Sequence, residues 1–304
     1  MSSFAFANCR GPALSMGRRR FLQMAAALAS IPLSGRLGAK GLPQRVAVPG
    51  GFALVDLGAE KSAPVVHFNG ERVLVSGNRS GWLAIVGIPL DSRPGSAAPV
   101  TIQYAAGTPR VVHFTIGDKH YDSEYLTIKS DQVDLTPEDL ARYEAERTHT
   151  QSVLRTYSDS APASLLLIPP CQGMRSNTFG QLRFFNGQPR GPHNGMDIAA
   201  EVGTPVVSAG SGKIIDTGDY FFSGRTVMIN HGRGFITLYA HLDQIDVKLS
   251  HRVRAGQRIG KVGISGRVTG PHLHFGVYLN AAAVDPGLFL PWRVGRPVLA
   301  SFES

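Results

Sequence analysis

The chain has 304 residues, 43% of them hydrophobic, with 35 glycines and 20 prolines; this predicts two domains built from many turns and short strands and excludes a disordered or collagen-like chain. The formal charge of +9 invites a nucleic-acid reading, but residues 1–40 hold Arg10, Arg18, Arg19, Arg20, Arg36 and Lys40 and no acid, which leaves only +3 on the rest. With that balance and no clustered basic stripe, nucleic acid is not an expected partner.

Residues 1–40 read as an export signal. Three arginines at 18–20 precede a run of about ten apolar residues, too short for the roughly 20 a membrane-spanning helix needs. Arg18-Arg19 followed by Phe21-Leu22 resembles a twin-arginine signal, although Gly17 stands where that pattern usually has Ser or Thr and the ordinary export route stays open. The expected destination is the periplasm, with no stable membrane span. Cys9 leaves with such a signal, so Cys171 alone remains and no internal disulfide is expected.

From 45 to 130 short apolar runs at 52–57, 65–68, 72–75, 82–86, 111–115 and 125–128 alternate with turn signals such as Asn69-Gly70 and Pro94-Gly95. That spacing predicts a small N-terminal antiparallel β-sandwich. His67, His113 and His120 within it have no ligand-like spacing. Thr136-Pro137-Glu138-Asp139 is a helix start, with an N-cap, proline at the first helical position and acids in the first turn. A helix is expected from 137 to about 157, with Leu140, Tyr143, Val153 and Leu154 as its apolar points. The stretch 136–160 thus links two modules, and Ser158-Asp-Ser-Ala-Pro162 reads as the linker proper.

Chemistry concentrates in 171–292, which holds His193, His231, His241, His251, His272 and His274. Pro192 and Gly195 argue against helix, so His193 and Asp197 are expected to point the same way from extended chain, with Gly195 leaving room for an ion. Alternation in a strand puts His272 and His274 on one face and Leu273 on the other. His241 lies in a further strand-like run. Two histidines and a carboxylate suit zinc, and additional histidines beside the metal suit proton transfer and oxyanion stabilisation. His231 is expected to be structural and His251 solvated.

These runs, together with Asn186-Gly-Gln-Pro-Arg190, Gly203-Thr-Pro-Val206, Ile229-Asn-His-Gly232, Leu238-Tyr-Ala-His-Leu242 and Thr269-Gly-Pro-His-Leu-His-Phe275, resemble the LytM/lysostaphin-type zinc metallopeptidases. The Val48-Pro-Gly-Gly51 entry and the upstream sandwich resemble the Gram-negative two-domain members. The resemblance implies a mainly β protein: an N-terminal sandwich, a linking helix and an antiparallel β metallopeptidase domain with a groove. It implies one zinc held by His193, Asp197 and His274, with His241 and His272 as the catalytic pair beside a metal-activated water, their roles undivided. The substrate implied is the peptide stems and cross-links of bacterial peptidoglycan. Two further expectations follow. The N-terminal module could dock on the groove and restrict it, and some relatives of this kind have become non-catalytic activators of cell-wall amidases. Residues 173–192 lack the tyrosine that some relatives place before the first ligand.

Overall fold

The computed structural model describes residues 46–126, 135–189 and 191–291, so the proposed signal and the end of the expected strand at 125–128 lie outside the described residues. Eight strands precede the helix: β1 Phe52–Gly58, β2 Val65–Phe68, β3 Glu71–Arg72, β4 Leu74–Asn78, β5 Gly81–Gly87, β6 Ala97–Gln103, β7 Arg110–Thr115 and β8 Ser123–Leu126. Strands β1-β5-β4 form one sheet and β3-β2-β6-β7 another. Between the two sheets Val66, Val75, Ala84, Val86, Val100 and Ile102 are buried together, as a sandwich requires. Sequence pattern missed β6 because Pro99 interrupts it; its residues nevertheless alternate exposed and buried along the strand.

Strand β8 does not join the sandwich. After it, helix α1 (Pro137–Leu154) is capped by Thr136, whose side chain accepts from Asp139 N. It ends three residues before the expected stop, where the Arg155 N–H turns back to the carbonyls of Ser152 and Val153. Leu140 is exposed, against expectation, because α1 is held along most of its length by polar contacts. Glu146 accepts from Phe221 N at 2.7 Å, Arg142 donates to Asp219 O at 3.1 Å, and His149 Nε2 lies 3.2 Å from Asp216 Oδ1. Val153 and Leu154 alone anchor its end in a small apolar cluster with Met228, Ile236, Leu238 and Tyr278.

The remaining strands are β9 Met174–Arg175, β10 Leu182–Phe185, β11 Gln188–Pro189, β12 Met196–Ala199, β13 Pro205–Val207, β14 Gly212–Tyr220, β15 Gly224–Gly232, β16 Phe235–Ile245, β17 Arg252–Val253, β18 Arg258–Val262, β19 His272–Leu279 and β20 Ala282–Val284. Ten of them form one sheet along the path β17-β14-β15-β16-β19-β12-β9, with β13, β18 and β20 attached at its side. Every pairing in it is antiparallel. The protein is therefore mainly β, as expected. The separate pairing of β10 with β8 is parallel and joins the upstream chain to the segment just before His193.

The core under the large sheet also takes in Phe52, Leu74 and Ile85 from the sandwich. Phe52 and Phe235 each stand 5.5 Å from the ring of Phe289. Buried Asn280 accepts from Gly87 N at 2.7 Å and donates to Gly87 O at 3.0 Å, and a Cβ on Gly87 would lie 2.7 Å from Leu279. Sandwich and sheet thus meet through backbone as closely as through side chains. No helix among the described residues is long and apolar enough to cross a membrane.

His231 is buried at the edge of this core. Its Nδ1 is 3.0 Å from Ser211 O and its Nε2 2.7 Å from Thr237 Oγ1, which in turn is 3.0 Å from the Tyr239 hydroxyl. Burial pushes His231 down to about 4. Below the free-histidine value near 6.5 the unfolded chain therefore binds a proton that the folded chain refuses, so this residue withdraws stability as pH falls from about 6.5 to about 4. Denaturant unfolding across that window should show His231→Asn, relative to the parent chain, with a shallower loss, the difference approaching about 3 kcal/mol. Parallel curves for the two proteins would refute the assignment.

Candidate metal and catalytic site

The site is assembled by strand register. Asp197 on β12 is the direct antiparallel partner of His274 on β19, and His274 is in turn paired with Ala240 on β16. Directly opposed residues of this kind stand ~5 Å apart at Cβ, so both side chains reach a common point above the sheet. Leu273 is fully buried on the opposite face, as the alternation of His272 and His274 predicts. His193 comes from the loop before β12, where its N–H donates to Gln181 O at 3.0 Å and its carbonyl accepts from Gly180 N at 2.7 Å.

His193 Nε2, His274 Nδ1 and Asp197 Oδ1 form a triangle with edges of 3.0–3.1 Å. Tetrahedral zinc with bonds near 2.0–2.1 Å separates its ligand atoms by ~3.3 Å, so the set fits such an ion with a small expansion. The other nitrogen of His193 is engaged, lying 3.0 Å from Thr178 Oγ1 and 3.2 Å from Thr178 O. That contact puts the ring proton on Nδ1 and leaves Nε2 as a lone pair. Acceptor atoms facing one another at this distance, in a half-buried place, are what a cation would relieve. Among the described residues these three side chains form a group able to hold a metal ion.

Burial alone would raise the Asp197 carboxyl, but the contacts of His193 and His274 outweigh it and hold the group well below the usual carboxylate range. Burial lowers His274, with the Asp197 contact opposing. Arg183 Nη2 lies 3.6 Å from the second Asp197 oxygen while its Nε lies 3.2 Å from Glu124 on β8. A residue of the upstream strand thereby reaches the back of a candidate ligand.

His241 and His272 flank the triangle. Their rings stand 4.8 Å apart, and His241 is 6.0 Å from His274. His241 Nδ1 is 3.0 Å from Ser265 O and His272 Nδ1 2.9 Å from Gly270 O; each contact fixes the proton on Nδ1 and leaves Nε2 as the acceptor. His272 Nε2 is 3.7 Å from Asp197 Oδ1. Burial first, then the proximity of His274 and His272, pushes His241 down to about 3, so it is neutral at ordinary pH. Its backbone is in the left-handed region, φ 63°, a conformation that strains a non-glycine residue. The His241 N–H donates to Ser223 O at 2.9 Å, in the hairpin tip that α1 clamps. His231 lies in the network described above and His251 is exposed in a turn, both as expected. His67, His113 and His120 are exposed and belong to no cluster.

Two features escape a reading of the sequence. Gly195 does not make room for an ion: a Cβ there would fall 2.6 Å from Cε1 and Nε2 of His274, so the glycine admits the imidazole itself. Ser176 and Thr178, 2.9 Å apart, brace both sides of the triangle, Ser176 Oγ accepting from Asp197 N at 3.0 Å and Thr178 contacting His193. A serine and a threonine two apart beside an extended pair were the available signal. Gly195→Ala should displace His274 and lower zinc affinity by well over tenfold, and Thr178→Val should lower it by about tenfold, the usual cost of losing an outer contact to a ligand. Zinc titration of the metal-stripped proteins checks both, and parent-like affinity in Gly195→Ala would refute the packing argument.

The sequence profile described as Peptidase family M23 matches residues 191–286, and that of the Peptidase family M23 N-terminal domain matches 45–119. Two peptidoglycan DD-endopeptidases of Vibrio cholerae, ShyA and ShyB, are each 45% identical, over 94 and 113 residues, 31% and 37% of this chain. These segments are 22% and 25% of the relatives' own lengths, so the chain spans about a quarter of the curated relatives it matches. A crystal structure of an M23 protein from Pseudomonas aeruginosa superposes with a TM-score of 0.68 at 40% identity, covering 80% of this chain and 94% of that one. With the two profiles in the same order and a relative matched over nearly its whole length, the chain belongs to peptidase family M23.

Proposed function

We propose that the chain is a zinc-dependent endopeptidase that hydrolyses peptide cross-links of bacterial peptidoglycan after export to the periplasm. The observation carrying this reading is the convergence of three acceptor atoms at 3.0–3.1 Å beside two histidines whose proton positions are already set by backbone carbonyls. In it His193, Asp197 and His274 hold the ion. Bound zinc would supply a Lewis acid for the scissile carbonyl and an acidified water as the nucleophile. His241 and His272 offer free Nε2 atoms on one side of that position. One accepts the proton of the attacking water and returns it to the leaving amine; the other, once protonated, donates to the oxyanion.

Full-chain protein incubated with purified sacculi, with zinc supplied or chelated, should convert cross-linked muropeptide dimers to monomers only when metal is present. Mass spectrometry of the released fragments reads the bond cut. His274→Ala should abolish zinc binding and turnover together, whereas His241→Ala should keep the metal and lose at least 100-fold in kcat, the contribution of one general acid–base group. Full activity in His274→Ala would refute the ligand assignment. Zinc binding without any cleavage would move the reading to an activator of cell-wall amidases.

The proposal extends to access. Strand β8, paired with β10 just before His193, with Tyr125 stacked at 4.7 Å on Phe184, supports restriction of the site by the upstream module. Replacing Tyr125 by Ala, which leaves Glu124 on Arg183, should raise turnover on sacculi several-fold if β8 limits entry; an unchanged or lower rate would reject the restriction.

A further inference from the structure

A cleft of about 760 Å³, lined in part by His231, includes none of His193, His241, His272 and His274. Its floor is the β14–β17 edge of the large sheet. Lys213 on β14 and Arg252 on β17 are direct antiparallel partners, and Arg254, two residues on, projects with Arg252 while Val253 between them is buried. Three cations therefore share one face, and all three line the cleft. Like charges placed directly opposite one another across a strand pair destabilise the sheet. Here nothing compensates them: no Asp or Glu lines the cleft, and among the described residues none of the three is ion-paired with a carboxylate.

The facing wall is the segment that follows α1. Ser158 and Ser160 line it, together with Asn230 of β15. That wall is seated by backbone, Ser158 O accepting from Arg233 N at 2.9 Å. A Cβ on Gly232 would fall 2.2 Å from Ser160 O, so the glycine lets the wall close on the sheet. Hydroxyl and amide donors on one side and three cations on the other make a lining rich in donors and free of acid. The volume is that of a ligand rather than of a single ion.

Position follows from topology. Lys213 is paired with Asn230, near the far end of β15, whereas Tyr220 pairs with Gly224 at the hairpin tip beside His241. Six residues of strand separate Gly224 from Asn230, about 20 Å at ~3.3 Å per residue. We infer that this cleft is a second binding site for the wall polymer, taking the carboxylates of peptide stems remote from the bond being cut. Arginine pairs with carboxylate through two parallel hydrogen bonds, and a carboxylate-bearing polymer long enough to cross both sites would be held at one while it reacts at the other. The inference rests on the peptidoglycan reading above.

The test uses metal-stripped full-chain protein, which binds sacculi without cutting them, and compares it with the triple variant K213A/R252A/R254A. Co-sedimentation should show at least tenfold weaker binding and a flatter salt dependence in the variant. With zinc restored, turnover of a short soluble cross-linked peptide, unable to span both sites, should stay within twofold of the parent. The charge-keeping variant K213R, which leaves both arginines in place, should retain binding. Equal binding by parent and Ala variant, or loss of binding in the charge-keeping one, overturns the inference. Polyglutamate should compete for the parent; inorganic phosphate competing equally at matched ionic strength overturns the carboxylate assignment. Charge-dependent binding to sacculi by a parent that never cleaves them would sustain the cleft while overturning the endopeptidase reading.

Discussion

The register of β12, β19 and β16 is the constraint on which the site depends. Strand side chains alternate faces, so a slip of one residue in either pairing would turn His274 into the core and bring Leu273 or Phe275 outward. Both of those neighbours are fully buried, and burying a large apolar side chain is worth about 2–3 kcal/mol each. The apolar face of β19 thus fixes the polar one. Asp197 and His274 meet because the hydrophobic core underneath admits a single alignment, and no attraction between the two polar groups has to be invoked. The remaining candidate ligand, His193, lies off the sheet and depends instead on backbone bonds to Gly180 and Gln181 and on Thr178.

That division explains what the amino-acid sequence made legible. His272-Leu-His274 is a local alternation, and its consequence can be read without knowing any partner strand. The spacing of His193 and Asp197 is local as well, and so is the helix start at Thr136. Less accessible were the contacts that join residues far apart in the chain: Ser176 beneath Asp197, Glu124 behind Arg183, the parallel pairing of β8 with β10, and the entry of Phe52 and Ile85 into the core of the large sheet. Gly195 is the instructive error. Its position between two ligands suggested space for an ion, but the volume a glycine leaves is defined by whatever approaches it, and His274 arrives from 79 positions later in the chain. The cation cluster of the distal cleft was hidden for a related reason. A net charge is a sum over the chain, whereas Lys213 and Arg252 become neighbours only through strand pairing.

His241 shows how the periphery of the fold reaches the chemistry. Its left-handed backbone costs of order 1–3 kcal/mol and persists only where the surroundings over-determine it. Two carbonyls do this, Ser223 O holding the backbone and Ser265 O the ring. Ser223 belongs to the tip between β14 and β15, and that tip is held by Glu146 and Arg142 of α1, with Tyr143 packed edge-on against Phe222 at 5.0 Å. The helix is accordingly polar along most of its length because it grips a hairpin through backbone atoms and does not cover a core. Its sequence looked like a connector; its contacts make it a brace for one of the two histidines beside the candidate metal position.

The same architecture gives the upstream sandwich more than one route to the site. Through Phe52, Leu74 and Ile85 it completes the core beneath the sheet, and through Asn280 and Gly87 it is tied to the β19–β20 turn. The strand that follows it, β8, lies alongside the segment that presents His193, and Glu124 of that strand contacts Arg183 behind Asp197. Removing the sandwich and β8 together would therefore expose buried apolar surface and withdraw a contact from behind a candidate ligand. Point substitutions in β8 separate these effects because they leave the shared core intact. The upstream chain thus serves the stability of the sheet and the orientation of a candidate ligand through different residues, and each can be changed without the other.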